Sequence, residues 1–236
     1  MIMIIGNKYK IKGKIGNGAF GCIYKGLNIR TDEEVAIKVE SIESGTKLLK
    51  KEAQIYQYLG IIDNFPQLKW FGKDSLNYYM VINLYGESIK DRIEKNGKMP
   101  IKEAIDVAIQ MIERIEVLHD KLIIHRDIKP ENVLYGLTSQ VIIIDYGLSK
   151  CYEIKGKHME EKDSKIIGTE KYASENVRNG KSGSRRDDVE SIINVFRYMI
   201  GESENEILCK IYKSVRMIKY EERPEYSEIK CMLKVK

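Results

Sequence analysis

Strand-like patterning dominates the chain to about residue 84, and helical patterning dominates after it. From Tyr9 to Val39, short runs rich in β-branched and aromatic residues are broken by glycines, which predicts strands joined by turns. Residues 47 to 59 interrupt them with a helix: Ile55 and Leu59 fall one turn apart, and Leu48 and Glu52 occupy neighbouring positions on that face. Tyr78-Tyr79-Met80-Val81-Ile82 reads as a further strand, broken by residues 83 to 88 and followed by helical residues 89 to 94. Pro100 opens a long helix whose apolar positions Ala104, Ala108, Met111, Ile112, Ile115 and Leu118 predict burial. His119, at its end, reads as a cap or core residue. The wholly apolar run Val141 to Ile144 predicts a strand that ends on Asp145. Residues 149 to 167 are polar and irregular. Arg185 to Ile200 predicts a buried helix with acidic residues at its positive end, and residues 204 to 236 predict two or three short helices. The expected fold is α+β. A small β-rich part with one helix covers residues 9–84, and a larger, mainly α-helical part covers residues 85–236.

At 236 residues the chain is long enough to bury a sizeable core. An apolar content of 43% and a charged content of 32% fit a soluble globular protein. The net charge of +5 suits an anionic ligand without demanding nucleic acid, and the basic residues do not alternate with aromatics as in a single-strand binder. The four cysteines are scattered, which points to a reducing, intracellular setting, cytoplasmic or nuclear. The apolar start, residues 1 to 5, is cut off by Gly6-Asn7-Lys8, too soon for a signal peptide or a membrane span. A monomer with no membrane attachment is expected.

The chemistry concentrates in His125-Arg126-Asp127-Ile128-Lys129-Pro130-Glu131-Asn132. A carboxylate, an ammonium and a carboxamide recur there at close spacing, and Asp145 follows one strand later. Phosphoryl transfer from a nucleotide needs such a set: a carboxylate to orient the attacking hydroxyl, a cation near the moving group, and oxygen ligands for a metal. Upstream, Ile15-Gly16-Asn17-Gly18-Ala19-Phe20-Gly21-Cys22-Ile23 spaces glycines at i, i+2 and i+5. By itself that spacing also fits an ordinary hairpin, or a dinucleotide site if a helix followed. Here strand-forming residues follow, as in a phosphate-covering turn whose backbone N–H groups meet no side-chain obstruction. Val35-Ala36-Ile37-Lys38 then places an ammonium on an apolar strand, and Glu52 is its candidate partner.

Taken in order, G-x-G-x-F-G, V-A-I-K, Glu52, H-R-D-I-K-P-E-N, D-Y-G and G-T-x-x-Y resemble the protein kinases from residue 9 to about 230. More narrowly, the chain resembles the casein kinase 1 family of serine/threonine kinases. The markers are Leu84-Tyr85-Gly86-Glu87-Ser88, Asp145-Tyr146-Gly147-Leu148-Ser149-Lys150, Gly168-Thr169-Glu170-Lys171-Tyr172-Ala173-Ser174 and above all Ser184-Arg185-Arg186-Asp187-Asp188-Val189-Glu190-Ser191. The resemblance implies a bilobal kinase fold holding ATP between a strand-rich N-lobe and a helical C-lobe, with Mg2+ as metal. It implies that Asp127 orients the substrate hydroxyl, that Lys129 steadies the γ-phosphoryl, and that Asn132 and Asp145 hold Mg2+. Lys38, fixed by Glu52, would grip the α- and β-phosphates under the 15–23 loop. Adenine would meet backbone groups of Asn83 and Tyr85, with Ile82 behind it. Thr169 would bridge Asp127 and Lys129, and Asp188 would accept bonds from the catalytic-loop backbone. Protein substrates with acidic or phosphorylated neighbours are implied.

Several features depart from that family. Tyr146 stands in place of phenylalanine, Ser174-Glu175-Asn176 differs from S-I-N at its centre, and the stretch from Ile200 to Glu206 is short. Neither a regulatory tail nor tail autoinhibition is expected. Lys165, Lys171, Arg178 and Arg185 are candidates for an anion site, with a solvated basic face as the plain alternative. Arg126 is a candidate clamp for a phosphate on Ser164 or Tyr152, although activity straight from expression is expected. The rival functional reading is a catalytically weak or inactive pseudokinase acting as a binding module; a small-molecule kinase is a third.

Overall fold

A computed structural model describes residues 3–18, 21–136, 138–201 and 206–234. It divides into two compact units, Met1–Gly86 and Glu87–Lys236.

The first unit is an antiparallel sheet with one α-helix. Strands β1 (Ile4–Ile5), β2 (Tyr9–Gly18), β3 (Gly21–Asn28), β4 (Glu34–Ser41), β5 (Leu68–Lys73) and β6 (Asn77–Asn83) lie in the order β1-β2-β3-β4-β6-β5. Side chains alternate across the sheet. Val35, Ile37, Tyr79 and Val81 share one face and close a core with Ile5 and Tyr9, against which Trp70 packs. Helix α1 (Leu48–Leu59) buries Leu49, Ala53, Tyr56 and Leu59. Strand β1 is an addition to the expected pattern. Gly6 and Asn7 both adopt positive φ, 55° and 52°, which lets the chain turn at once and pair Ile5 with Tyr9.

The second unit is mainly helical. It contains α2 (Ile89–Asn96), α3 (Ile101–Asp120), β7 (Ile123–Ile124), β8 (Val133–Tyr135) and β9 (Val141–Ile143). Then come β10 (Lys150–Cys151), β11 (Glu153–Ile154), β12 (Lys157–His158), α4 (Glu175–Arg178), α5 (Arg185–Ile200), α6 (Glu206–Met217) and α7 (Tyr226–Lys234). Helices α3 and α5 form its centre. Met111, Ile112, Ile115 and Leu118 from one, and Val189, Ile192, Ile193 and Phe196 from the other, are buried. Each fully buried aliphatic or aromatic side chain contributes about 1.5–3 kcal/mol. Ser184 and Asp187 close a capping box at the start of α5, as Ser88 and Asp91 do for α2. The expectation of irregular structure over 149–167 needs correction. Strand β10 pairs with β7, and β11 with β12 as a hairpin, because Lys155 and Gly156 both take positive φ and reverse the chain tightly. Of the shortened stretch 200–206, residues 202–205 lie outside the described residues.

Candidate active site

In the first unit Lys38 and Ala36 lie on the sheet face opposite the apolar core. Lys38 sits directly across from Ile23 on β3, and Ala36, two residues earlier on the same face, sits across from Ile82 on β6. Lys38 Nζ is 2.7 Å from Glu52 Oε2, and both side chains are shielded from solvent, at 12% and 3% exposure. The ammonium is thereby held beside an apolar platform of Ile23, Ala36 and Ile82.

The glycine-rich segment spans β2 and β3. Gly16 pairs with Ile23, Asn17 with Cys22, and Gly18 with Gly21; Ile15 is half exposed, and Ala19 and Phe20 lie outside the described residues. Gly21 is required sterically, since a Cβ there would lie 1.9 Å from the Val39 carbonyl oxygen. Cys22 Sγ lies 3.9 Å from Asn17 Oδ1. At the end of β6, Asn83 Oδ1 accepts from the Gln67 amide at 3.0 Å, and Tyr85 Oη donates to the Phe65 carbonyl at 3.5 Å. Their side chains are spent on the fold, which leaves backbone groups for recognition. Burial pushes the Tyr85 phenol up to about 12.

In the second unit Asp127 is the centre of a bonded set. Its Oδ2 accepts from Lys129 Nζ at 2.8 Å. Its Oδ1 accepts from the Thr169 hydroxyl at 2.8 Å and from the Thr169 amide at 2.9 Å. The same hydroxyl accepts from Lys129 Nζ at 3.0 Å, closing a triangle. Thr169 comes this close because Gly168, at φ 92°, runs past the loop where a Cβ would lie 2.2 Å from the Arg126 carbonyl oxygen. Asn132 Nδ2 donates to the Asp127 carbonyl at 2.9 Å and also lies 3.3 Å from Oδ2. With its amide nitrogen so committed, the Asn132 Oδ1 faces the other way, as an oxygen ligand needs.

Asn132 and Asp145 flank one hairpin. Val133 opposite Ile143 opens the β8–β9 pairing, and the Ile144 amide donates to the Asn132 carbonyl at 2.9 Å. Two hard oxygen donors brought to the same end of paired strands fit the preference of Mg2+. Asp145 itself takes φ 69°, ψ 67°. Behind it Tyr146 is fully buried, its hydroxyl donating to the Ile143 carbonyl at 3.1 Å and its ring 5.2 Å from that of His125. His125 Nδ1 accepts from the Asp127 amide, and its Nε2 lies 3.0 Å from the Ile144 carbonyl. That pattern assigns the ring proton to Nε2.

The catalytic loop is held from beneath by Asp188. Its carboxylate accepts from the His125 amide at 2.6 Å and the Arg126 amide at 2.8 Å. The second bond fixes Arg126 at φ 70°, a conformation that costs a non-glycine residue on the order of 1 kcal/mol. His119 Nε2 lies 3.0 Å from Asp188 Oδ2, and its Nδ1 lies 2.6 Å from the Tyr226 hydroxyl. Burial pushes the His119 pKa down, against the pull of Asp188. Burial alone would raise Asp188; the bond and charge of His119, with His125 and the Arg126 amide, outweigh it and hold the carboxyl below its usual range. His119 is thus a core residue that joins α3 and α7 to the loop.

The four candidate anion-binding cations sit in different local settings. Arg185 lies over the Tyr152 ring and bonds its hydroxyl and the Glu221 carbonyl. Lys171 lies 5.5 Å from the Tyr172 ring centre and 5.3 Å from that of Tyr198. Of the four, Lys165 lines a cavity with Arg126, Ser164 and Lys181, and Arg178 ends the short helix α4. Tyr152 is excluded as a phosphate carrier, because it is 4% exposed and its hydroxyl donates to the His119 carbonyl at 2.7 Å.

Sequence reasoning missed the role of three residues. Arg216 on α6 pairs with Glu175 at 2.7 Å and with buried Glu190 at 2.9 Å, while Glu190 also accepts from the Glu175 amide. The end of the activation segment is tied to α5 and α6 through that set. A buried charge inside an apolar helix run was the available signal.

A family model for the protein kinase domain matches residues 9–230. The chain belongs to the protein kinase family. That is a family of phosphotransferases with ATP as donor, Mg2+ as metal and proteins as substrates, and the two bonded sets described above carry its motifs.

Proposed function

We propose that the protein is an active serine/threonine protein kinase of the casein kinase 1 type, working intracellularly as a monomer on protein hydroxyls. The observation that carries this reading is the closed triangle of Asp127, Lys129 and Thr169, with distances of 2.8, 2.8 and 3.0 Å. It holds together a carboxylate and an ammonium, the pair to which we assign the alignment of a substrate hydroxyl. When bound, Mg-ATP supplies the electrophilic phosphoryl group. Asp127 orients the hydroxyl and accepts its proton late, and Lys129 offsets the negative charge on the transferring group. Asn132 and Asp145 are the residues that would hold Mg2+. Lys38, braced by Glu52, would hold the α- and β-phosphates. Lysine two places after Asp127 favours serine and threonine over tyrosine, by resemblance.

The acceptor preference we assign is acidic or already phosphorylated sequence. Supporting it, Lys171 is held over two tyrosine rings two residues from Thr169, and Arg126, Lys165 and Lys181 surround one cavity. Incubating the protein with Mg-ATP and a degenerate peptide library tests all of this. Transfer to serine and threonine peptides, lost in Asp127→Asn while a non-hydrolysable ATP analogue still binds, is the expected result. Nucleotide binding without transfer by the unmodified protein would make it a pseudokinase. Equal rates on a phosphoprimed peptide and its unprimed twin would remove the priming preference.

A further inference from the structure

Glu40 is a buried carboxylate that the chemistry above does not use. It lies on β4 two residues beyond Lys38, is 2% exposed, and points to the same sheet face as Lys38. Its partners all come from the approach to α1. Glu40 Oε2 accepts from the Leu49 amide at 2.6 Å, and Oε1 accepts from the Leu48 amide at 3.3 Å. The hydroxyls of Ser44 and Thr46 also donate to Oε1, that of Ser44 at 3.3 Å. Lys47, at the cap position of α1, takes φ 51°, ψ 23°, and its side chain makes no capping bond. The strand therefore provides what the helix lacks: an acceptor and a negative charge for its unsatisfied first amides.

The spacing turns this cap into a registration device. Lys38 and Glu40 are about 6–7 Å apart along the strand. The Leu48–Leu49 amides and Glu52 are separated by roughly one helical turn, about 5 Å. Strand and helix run in opposite senses, so Glu40 meets the helix start where Lys38 meets Glu52 one turn further on. Two anchors a turn apart set both the slide and the rotation of α1 on β4; either one alone leaves one of them loose. We propose that Glu40 is a positioning residue for the Lys38–Glu52 pair, holding α1 in the register that aims the Lys38 ammonium. The idea rests on the reading of Lys38 as a phosphate-binding residue. It assigns the placement of α1 to a permanent internal carboxylate instead of to an added phosphate or partner.

The test is a double-mutant cycle of Glu40→Gln and Glu52→Gln. Binding of Mg-AMP-PNP is followed by calorimetry, and peptide phosphorylation by initial rates, well below each variant's melting temperature. Glu40→Gln is expected to weaken Mg-AMP-PNP binding about tenfold, the scale of a lost helix cap, with the KM for peptide unchanged. In the Glu52→Gln background it is expected to add less than about twofold, because the pair it positions is already broken. Losses that multiply, or a Glu40→Gln protein that binds like the parent, overturn the proposal. Amide exchange across residues 48–52, expected to quicken on the order of tenfold in Glu40→Gln, needs no nucleotide. A parent protein that binds no nucleotide therefore sinks the kinase reading, and unchanged exchange sinks the anchor. Should Glu40→Gln not fold, Thr46→Val removes one donor from the carboxylate at an exposed position. It is expected to give a two- to threefold loss with the same non-additivity, and a full additive loss there overturns the idea as well.

Discussion

Replacing Asp188 by asparagine removes the support under the catalytic loop without changing its volume. The carboxylate accepts three N–H groups, from His125 at 2.6 Å, Arg126 at 2.8 Å and His119 at 3.0 Å. An asparagine keeps one acceptor oxygen and turns an NH2 group toward a backbone N–H. One charge-assisted bond is lost, worth about 1.5–3 kcal/mol, and a buried donor is orphaned at about 1–3 kcal/mol more. Full burial of Asp188 leaves little solvent screening to soften this, so a total of about 3–5 kcal/mol is expected. For a chain of this size each kcal/mol lowers the melting temperature by about 2–4 °C, which gives roughly 10 °C. Arg126, released from φ 70°, relaxes and carries Asp127 with it, so kcat falls with stability. Calorimetry gives the first quantity, amide exchange at His125 and Arg126 locates it, and peptide phosphorylation gives the second. A Tm within about 2 °C of the parent and unaltered exchange at those two amides would refute the reasoning.

Other substitutions and conditions probe the same framework. Thr169→Val deletes a hydroxyl bonded to a charged group and is expected to lower kcat about 10- to 100-fold with the KM for ATP unchanged, while Thr169→Ser stays close to the parent; equal rates for the two variants would remove the bridge. His119 has its pKa lowered from 6.5 by burial, so the unfolded chain takes up a proton that the folded one refuses. Stability is therefore complete above about pH 6.5 and declines as pH falls through the window down to the lowered folded value. His119→Gln is expected to flatten the Tm profile in that window, and an unchanged slope would clear His119 of the effect. A separate decline below about pH 3.8 is expected as Asp188 gains the proton that its partners oppose, and Asp188→Asn is the control.

Element order and type were legible wherever periodicity was strong. Helix α5 spans Arg185–Ile200 as the apolar run predicts, and Lys38 and Asp127 sit in the strand and loop their flanking residues specify. The bridging role of Thr169 was also readable, because motif order along the chain encodes that contact. The segment 149–167 was not legible. Its three strands are two residues each, too short for an alternation to register, and their order comes from pairing with β7 and from a tight turn at Lys155-Gly156. The aromatic contacts of the candidate anion-site cations were not legible for a related reason. Nearness in sequence gave Lys171 and Arg185 a shared role, yet each is drawn to aromatic rings with which composition offers no pairing rule.

The buried acids that hold these segments share one physical character, and of them sequence reasoning placed only Asp188, through the resemblance. Glu40, Asp188 and Glu190 are carboxylates with 2%, 2% and 1% exposure, and each accepts backbone amides from a segment distant in the chain. An acid in a helix or strand is ordinarily solvated, so its default reading is surface. Burial without satisfied acceptor sites costs a carboxylate several kcal/mol, and N–H donors at helix starts and strained turns are the unsatisfied groups that can relieve it. A buried acid is thus evidence of an otherwise orphaned amide nearby, and in this chain those amides belong to α1, the catalytic loop and the start of α4. On the proposed function, α1 carries the partner of Lys38 and the catalytic loop carries Asp127. A systematic comparison of Glu→Gln and Asp→Asn at the three sites therefore discriminates. If they serve stability alone, rate and Tm fall in proportion. If they hold reacting groups in place, the rate measured below the melting range falls further than Tm accounts for, and most at Asp188, whose two amides adjoin Asp127 directly.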